Sequence, residues 1–251
     1  MKGAMLFAVW SDGAHRPTRD VDLLGFGLAD NKELKAIFVE LCGLETTPDG
    51  LTFLADSVAA TSIREEEAYP GTRVTLEARL ENVRISLQVD IGFGDIVTPK
   101  PDGIDSPALL DYPAPHLRAY PIYTVVAEKL EASVRLGESN TRMKDFFDLW
   151  FLSRRFTFEG EVLRKAVTQT FARRKLALPA TPPVAFRAEF ATLKAPTWNV
   201  FLRRNALAPL ELTAAIDEIR SFAWPVMEAA AKEETFAQTW RPQQGWRRQV
   251  T

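Results

Sequence analysis

The sequence predicts an α/β (α+β) protein, with a first half that mixes strands and helices and a second half built from helices alone. Three observations predict it. Two neighbouring runs alternate apolar and polar residues with period two, Val74, Leu76, Ala78 and Leu80, then Ile85, Leu87, Val89 and Ile91, as half-buried strands do. Beyond Pro121, apolar residues return at helical spacing in several successive stretches. Between the two regimes, residues 98–121 are rich in proline and turn formers and read as a linker or long crossover. Domains are therefore expected at 1–110 and 111–251.

Taken in order, residues 3–10 are apolar and helix-compatible, and the loop "SDGAHRPTR" leads into a strand over 20–24. Leu34, Ile37, Phe38 and Leu41 give an amphipathic helix over 31–41. The two alternating runs are separated by "ENV" and form an antiparallel hairpin. In the second half, helices are expected over 122–136, 142–154, 161–174, 184–193 and 209–231, the last kinked at Pro225.

A chain of 251 residues, 46% of them apolar, is long enough to bury a sizeable core. Its single cysteine, Cys42, rules out a disulfide framework and reads as core packing. No apolar run approaches the ~18 residues of a spanning helix, and the N-terminal apolar stretch with its one lysine is a poor signal peptide. A cytoplasmic location without a membrane partner is expected. Net charge is −2, yet residues 1–110 carry −8 and residues 111–251 carry +6. An acidic half that holds cations and a basic half that holds phosphates suit an enzyme acting on a metal–nucleotide complex; solvated helix faces would produce the same numbers.

The chemistry concentrates in "RPTRDVDLLGFG", residues 16–27. Side chains at i and i+2 of a strand share a face, so Asp20 and Asp22 point the same way. Two carboxylates that close repel by up to ~4 kcal/mol at an effective dielectric of about 20, and either water or a metal must compensate them. Asp90 projects from a later strand, on the polar face with Ser86 and Gln88. Three such carboxylates, preceded by the small-residue turn Gly3-Ala4, can hold two divalent cations about 4 Å apart, the arrangement that stabilises both oxygens in phosphoryl transfer. Hard oxygen ligands without a His or Cys cluster favour Mg²⁺, and a glycine turn lets backbone N–H groups approach a phosphate. Lys129, Arg142 and Lys144 supply cations near predicted helix ends, with Lys144 expected to pair with Asp148 one turn away.

The motifs "KGAM", "RPTRDVDLL", "QVDIGFGDIVTP" and "VVAEKLEASVRLGESNTRMKDFFDLWFL" resemble, in order and number, those of the AbiEii/AbiGii nucleotidyltransferase toxins, a branch of the polymerase-β-like superfamily. The resemblance covers residues 2–152. It implies a nucleotidyltransferase core with a small mixed sheet, followed by a helical C-terminal region that completes the nucleotide site. It also implies Mg²⁺-dependent transfer of a nucleoside monophosphate from an NTP, with release of pyrophosphate, by the toxin of a toxin–antitoxin pair active in phage defence. Some members extend the 3′ end of tRNA, so the implied partners are a cognate antitoxin and an RNA acceptor. Carried over by position, Asp20, Asp22 and Asp90 would be metal ligands and catalytic residues, with Asp90 helping to deprotonate the attacking hydroxyl. Lys129 would contact the triphosphate, and Lys144 with Asp145 would complete the nucleotide side. Gly3, Ala4, Arg16, Thr18 and Arg142 would be nucleotide-binding.

Two departures from the family pattern set up the alternatives. Ala4 stands where a second glycine or a serine is usual, and the helix and strand that usually precede the first motif have no counterpart before Met1. That second departure admits a misassigned start or a truncated, inactive remnant that only binds antitoxin or RNA. Transfer to a small molecule or to a protein side chain is a further enzymatic alternative. The tail "TWRPQQGWRRQVT" interleaves Trp240 and Trp246 with arginines, which suits either stacking on single-stranded RNA or packing back on the helices. "ARRKL" at 172–176 and Arg203-Arg204 extend a basic groove or decorate helix surfaces. His15 and His116 read as loop and surface residues.

Overall fold

Alternating β-branched and aliphatic residues build a four-stranded mixed sheet first. The computed structural model describes residues 1–11, 15–18, 20–27, 30–46, 48–63, 71–108 and 111–248, so residues 12–14 and Arg19 of the loop before the DxD pair, and residues 249–251 of the tail, lie outside the described residues. The strands are β1 (Asp20–Gly25), β2 (Leu51–Ile63), β3 (Gly71–Leu80) and β4 (Val83–Phe93), ordered β1-β4-β3-β2. β1 runs parallel to β4, while β3 pairs antiparallel with both β4 and β2. The expected hairpin is β3–β4, turned by Glu81 and Asn82. β2 was not visible in the pattern, because a register shift between Leu54 and Ala59 breaks its alternation.

One face of this sheet buries Val58, Val74, Leu76, Ile91 and Phe93, against which Leu34, Phe38 and Cys42 of helix α2 pack. Helix α1 spans Leu6–Trp10 and α2 spans Asn31–Cys42. Asp30 starts α2 by accepting the backbone N–H groups of Lys32 and Glu33, a cap worth ~1 kcal/mol. Burial pushes the Cys42 thiol up, as expected of a packing residue. Inside the stretch expected as linker, β5 (Asp102–Asp105) and β6 (His116–Ala119) form a two-stranded ribbon. Residues 1–95 with 103–119 make one compact unit, and residues 96–102 with 120–251 make another.

The second unit is a helical bundle with a small sheet. Its helices are α3 (Ile122–Leu136), α4 (Met143–Arg155), α5 (Gly160–Arg173), α6 (Ala188–Arg204) and α7 (Leu212–Ala231). α7 packs against α4, α5 and α6, and α3 packs against α5 and α4. Leu130, Leu149, Leu152, Leu163, Val167, Trp198, Ile219 and Phe222 are essentially inaccessible. The helix expected over 184–193 is instead a short 3-10 turn at Val184–Phe186 followed by α6, which continues through Pro196. Its buried stripe of Phe190, Ala191, Trp198 and Leu202 outweighs the ~3 kcal/mol cost of an interior proline. α7 likewise continues through Pro225.

The tail closes the bundle rather than standing clear of it. β7 (Phe158–Glu159), β8 (Gln238–Arg241) and β9 (Gly245–Arg248) form a three-stranded sheet. The Trp240 indole is buried and donates to the Ser153 carbonyl at 2.6 Å. Trp246 stacks on Phe222, with an interplanar angle of 3°, and donates to its carbonyl at 2.9 Å. Both tryptophans are structural, which answers the stacking alternative.

Candidate active site

The polar face of the first sheet gathers the acidic residues. Register sets Asp22 of β1 opposite Asp90 of β4, and Asp90 opposite Arg73 of β3. Paired residues on neighbouring strands share a face, so Asp22, Asp90 and Arg73 form one row across the sheet. One step along, Asp20 lies opposite Gln88, whose amide donates to Asp20 Oδ1 at 3.1 Å. Thr18 donates its hydroxyl to the Asp20 carbonyl at 3.4 Å. Arg73 grips Asp90 with two parallel bonds, Nε to Oδ1 at 2.8 Å and Nη2 to Oδ2 at 2.9 Å. The hydrogen bond to Asp90, then the charges of Asp90, Asp20 and Asp22, hold the guanidinium above its ordinary pKa against a partial burial penalty.

The chain start is sewn to this face. Lys2 donates its backbone N–H to the Asp22 carbonyl at 2.8 Å, and its ammonium binds Asp95. Gly3 follows with φ of 73°, in the left-handed region. A Cβ there would sit 2.0 Å from Asp22 Oδ2, so only glycine lets the turn lie against that carboxylate. Gly3, Ala4 and Met5 form a single 3-10 turn ahead of α1. His15 is buried and stacks on Phe7, with ring centroids 4.1 Å apart, a packing role. His116 is exposed, 2.8 Å from Asp105.

A second charged group lies in the helical unit. Lys129 of α3 donates to Asp145 Oδ1 at 2.9 Å and to Asp148 Oδ2 at 2.8 Å, both on α4. Arg142 donates Nε to the other Asp145 oxygen at 2.6 Å. Asp145 and Asp148 are buried. Burial pushes the Asp145 carboxyl up, but Lys129 and Arg142 outweigh it and hold it below the usual range. For Lys129, burial pushes down and the two aspartates more than reverse it. The expected Lys144–Asp148 pair does not form. Asp148 is buried and turned to Lys129, whereas Lys144, one turn earlier, is exposed.

Over residues 1–231 the sequence matches the model of a family described as nucleotidyl transferase AbiEii toxin, type IV TA system. The chain belongs to the AbiEii nucleotidyl transferase toxin family. This AbiEii chain is therefore a nucleotidyltransferase of a toxin–antitoxin family, and that family implies an antitoxin partner. No curated protein matches the sequence. Among solved structures it is similar to a "putative nucleotidyltransferase" from H. pylori, with TM-score 0.50 and 15% identity, covering 94% of this chain and 88% of that one. It is also similar to JHP933 from Helicobacter pylori, with TM-score 0.48 and 14% identity, covering 92% and 82%. The first likeness speaks for the fold: the expected mixed sheet and helical second half are both present.

Sequence reasoning on the AbiEii chain named Asp20, Asp22 and Asp90, and the structure brings them to one sheet face; it named Lys129, Arg142 and Asp145, and the structure joins them in one network. It missed Arg73, the partner of Asp90. Taking the β3–β4 turn as Glu81-Asn82 and counting back along both strands would have found it. The donor set of three carboxylates suits an oxygen-preferring cation. Among the described residues, however, no three His, Cys, Asp or Glu side chains converge as a metal site, and both oxygens of Asp90 lie on Arg73. No helix among the described residues is long and apolar enough to cross a membrane.

Proposed function

We propose that this AbiEii chain moves a nucleoside monophosphate from an NTP to an RNA acceptor, the 3′ end of a tRNA, and that its antitoxin restrains it in phage defence. The observation that carries the reading is the register of β1 against β4, which aligns Asp22 with Asp90 and leaves Asp20 on the same face. Asp20 and Asp22, joined by Asp90, would hold Mg²⁺, as one ion or a pair. Bound there, Mg²⁺ would neutralise charge on the phosphate oxygens as the leaving pyrophosphate departs.

The chain's own residues do the rest. Asp90 takes up the proton of the attacking hydroxyl. Gly3 and Ala4 offer backbone N–H groups to a phosphate, with Arg16 and Thr18 alongside. Within the helical unit, Lys129 has three donors and uses two on Asp145 and Asp148, which leaves one for an anion that meets this unit. That network fixes Lys129 and Arg142 in place while Lys144 reaches from the exposed side of α4. Support for a nucleic acid acceptor comes from the charge of residues 111–251, net +6. The substrates are cytoplasmic, and so is the proposed reaction.

The test incubates purified protein with Mg²⁺, total tRNA and each α-labelled NTP in turn, beside Asp22→Asn. Label on RNA with the wild type alone is the expected result. Equal labelling by Asp22→Asn, or label that reaches protein or a small molecule instead of RNA, would overturn the reading.

A further inference from the structure

Among the ion pairs of the described residues, the one on the acidic sheet face differs from those inside the bundle and at the chain start. Lys129 and Arg142 sit on buried carboxylates inside a bundle, and Lys2 holds the nearly buried Asp95. Arg73 is different. Its side chain is 40% exposed, close to the 42% of Arg142; what sets it apart is that it engages both oxygens of a carboxylate that the proposed chemistry needs.

We propose that Arg73 is a resident counter-cation of Asp90, which a divalent cation must displace before Asp90 can join Asp20 and Asp22. The inference rests on the metal-binding reading above. It explains two observations that otherwise conflict: three acidic residues share one sheet face in adjacent register, yet no three acidic side chains converge as a metal site among the described residues. Geometry supplies the reason. The paired Nε and Nη2 bonds engage both Asp90 oxygens at once, and such a fork holds a carboxylate in one orientation. Because β3 sets Arg73 directly opposite Asp90, the guanidinium needs no backbone movement to grip or release. Half-exposed, it can swing to water when displaced, whereas Lys129 has no such exit. Arg73 is thus a positioning residue. It keeps like charges compatible on one face when no cation is bound, and it sets the threshold concentration at which a cation enters.

The experiment measures Mn²⁺ affinity of the full chain by calorimetry, without nucleotide, for wild type, Arg73→Gln, Asp90→Asn and the double variant, with circular dichroism to confirm folding. Arg73→Gln should bind Mn²⁺ about fivefold more tightly, which corresponds to about 1 kcal/mol, the upper end for a half-exposed ion pair. In the Asp90→Asn background the same substitution should have little effect, because there is no longer a carboxylate to contest. Two results overturn the proposal while leaving the metal reading intact. One is unchanged or weaker binding by Arg73→Gln. The other is an equal gain with and without Asp90, which would mean a general charge effect. Absence of Mn²⁺ binding by both wild type and Arg73→Gln would overturn the metal reading itself, and the proposal with it.

Discussion

The protein holds its acidic residues in two ways, and the contrast separates carboxylates that can exchange partners from carboxylates that cannot. On the first sheet, Asp20, Asp22 and Asp90 are half-buried, one met by an amide and one by a guanidinium that itself faces water. Between α3 and α4, Asp145 and Asp148 are sealed from solvent, and Lys129 and Arg142 close on them. A buried carboxylate that loses its cation keeps the full cost of desolvation, whereas an accessible one is rescued by water. The first group is therefore free to exchange partners, and the second is committed to its own. A ligand-exchanging centre must be built the first way; a hinge-free brace between two helices must be built the second way.

Breaking the brace should give the largest effect. Lys129→Met removes the cation shared by two buried aspartates and should cost about 3–5 kcal/mol, the range for halving a buried ion pair, read as a fall in the urea midpoint of the helical circular dichroism signal. Asp22→Asn, which should abolish labelling of RNA, is expected to leave that midpoint within about 0.5 kcal/mol of the wild type, as accessible substitutions do. Equal destabilisation by both variants would erase the distinction drawn between the two groups.

The distinction was only partly legible in the sequence. Period-two alternation exposed β3 and β4, and the i, i+2 rule put Asp20 and Asp22 on one face, because both signals are local. The pairing of β1 beside β4, which brings Asp22 to Asp90, is a parallel contact between distant stretches of chain, and no local pattern encodes it. β2 escaped because its bulge disrupts the alternation. In α4, helical spacing put Lys144 within a turn of Asp148, but that Lys129 rather than Lys144 answers Asp148 depends on which side chains turn inward. Lys144, though only one turn from Asp148, is exposed, and the buried Phe146, Phe147 and Leu149 decide the rotation. Helical spacing alone allows the wrong pair.

Between the extremes stands the turn at the chain start. Gly3→Ala places a methyl group 2.0 Å from Asp22 Oδ2 and demands a left-handed backbone of an alanine, which costs about 1 kcal/mol. The carboxylate has to move, and displacing a catalytic group by about 1 Å costs roughly 10²-fold in rate. Activity should therefore fall far more than stability, measured as RNA labelling beside the urea midpoint. Ala4→Gly, one position on, should change both little. A Gly3→Ala variant with wild-type labelling would show that Asp22 does not need its present position.

The smallest effect sharpens the comparison from a third kind of ion pair, neither sealed nor part of the proposed site. Glu161, in the first turn of α5, takes a two-bond grip from Arg164 at 2.8 and 2.7 Å and accepts the Phe236 backbone N–H at 3.1 Å. The Arg164 hydrogen bonds, aided by the Phe236 N–H and the nearby positive charges, lower its pKa from 4.5 to about 2. A carboxylate whose pKa is depressed on folding stabilises the native state above its unfolded pKa and loses that contribution as pH falls through the folded value. The stability difference between wild type and Glu161→Gln should thus be full at pH 7, shrink below pH 4.5 and vanish near pH 2. With a third of the Glu161 side chain exposed, the difference at pH 7 should stay within about 1 kcal/mol, the range of screened pairs. A difference that persists unchanged to pH 2 would mean that Glu161 acts through packing, and that charge at this position does no more than decorate the start of α5.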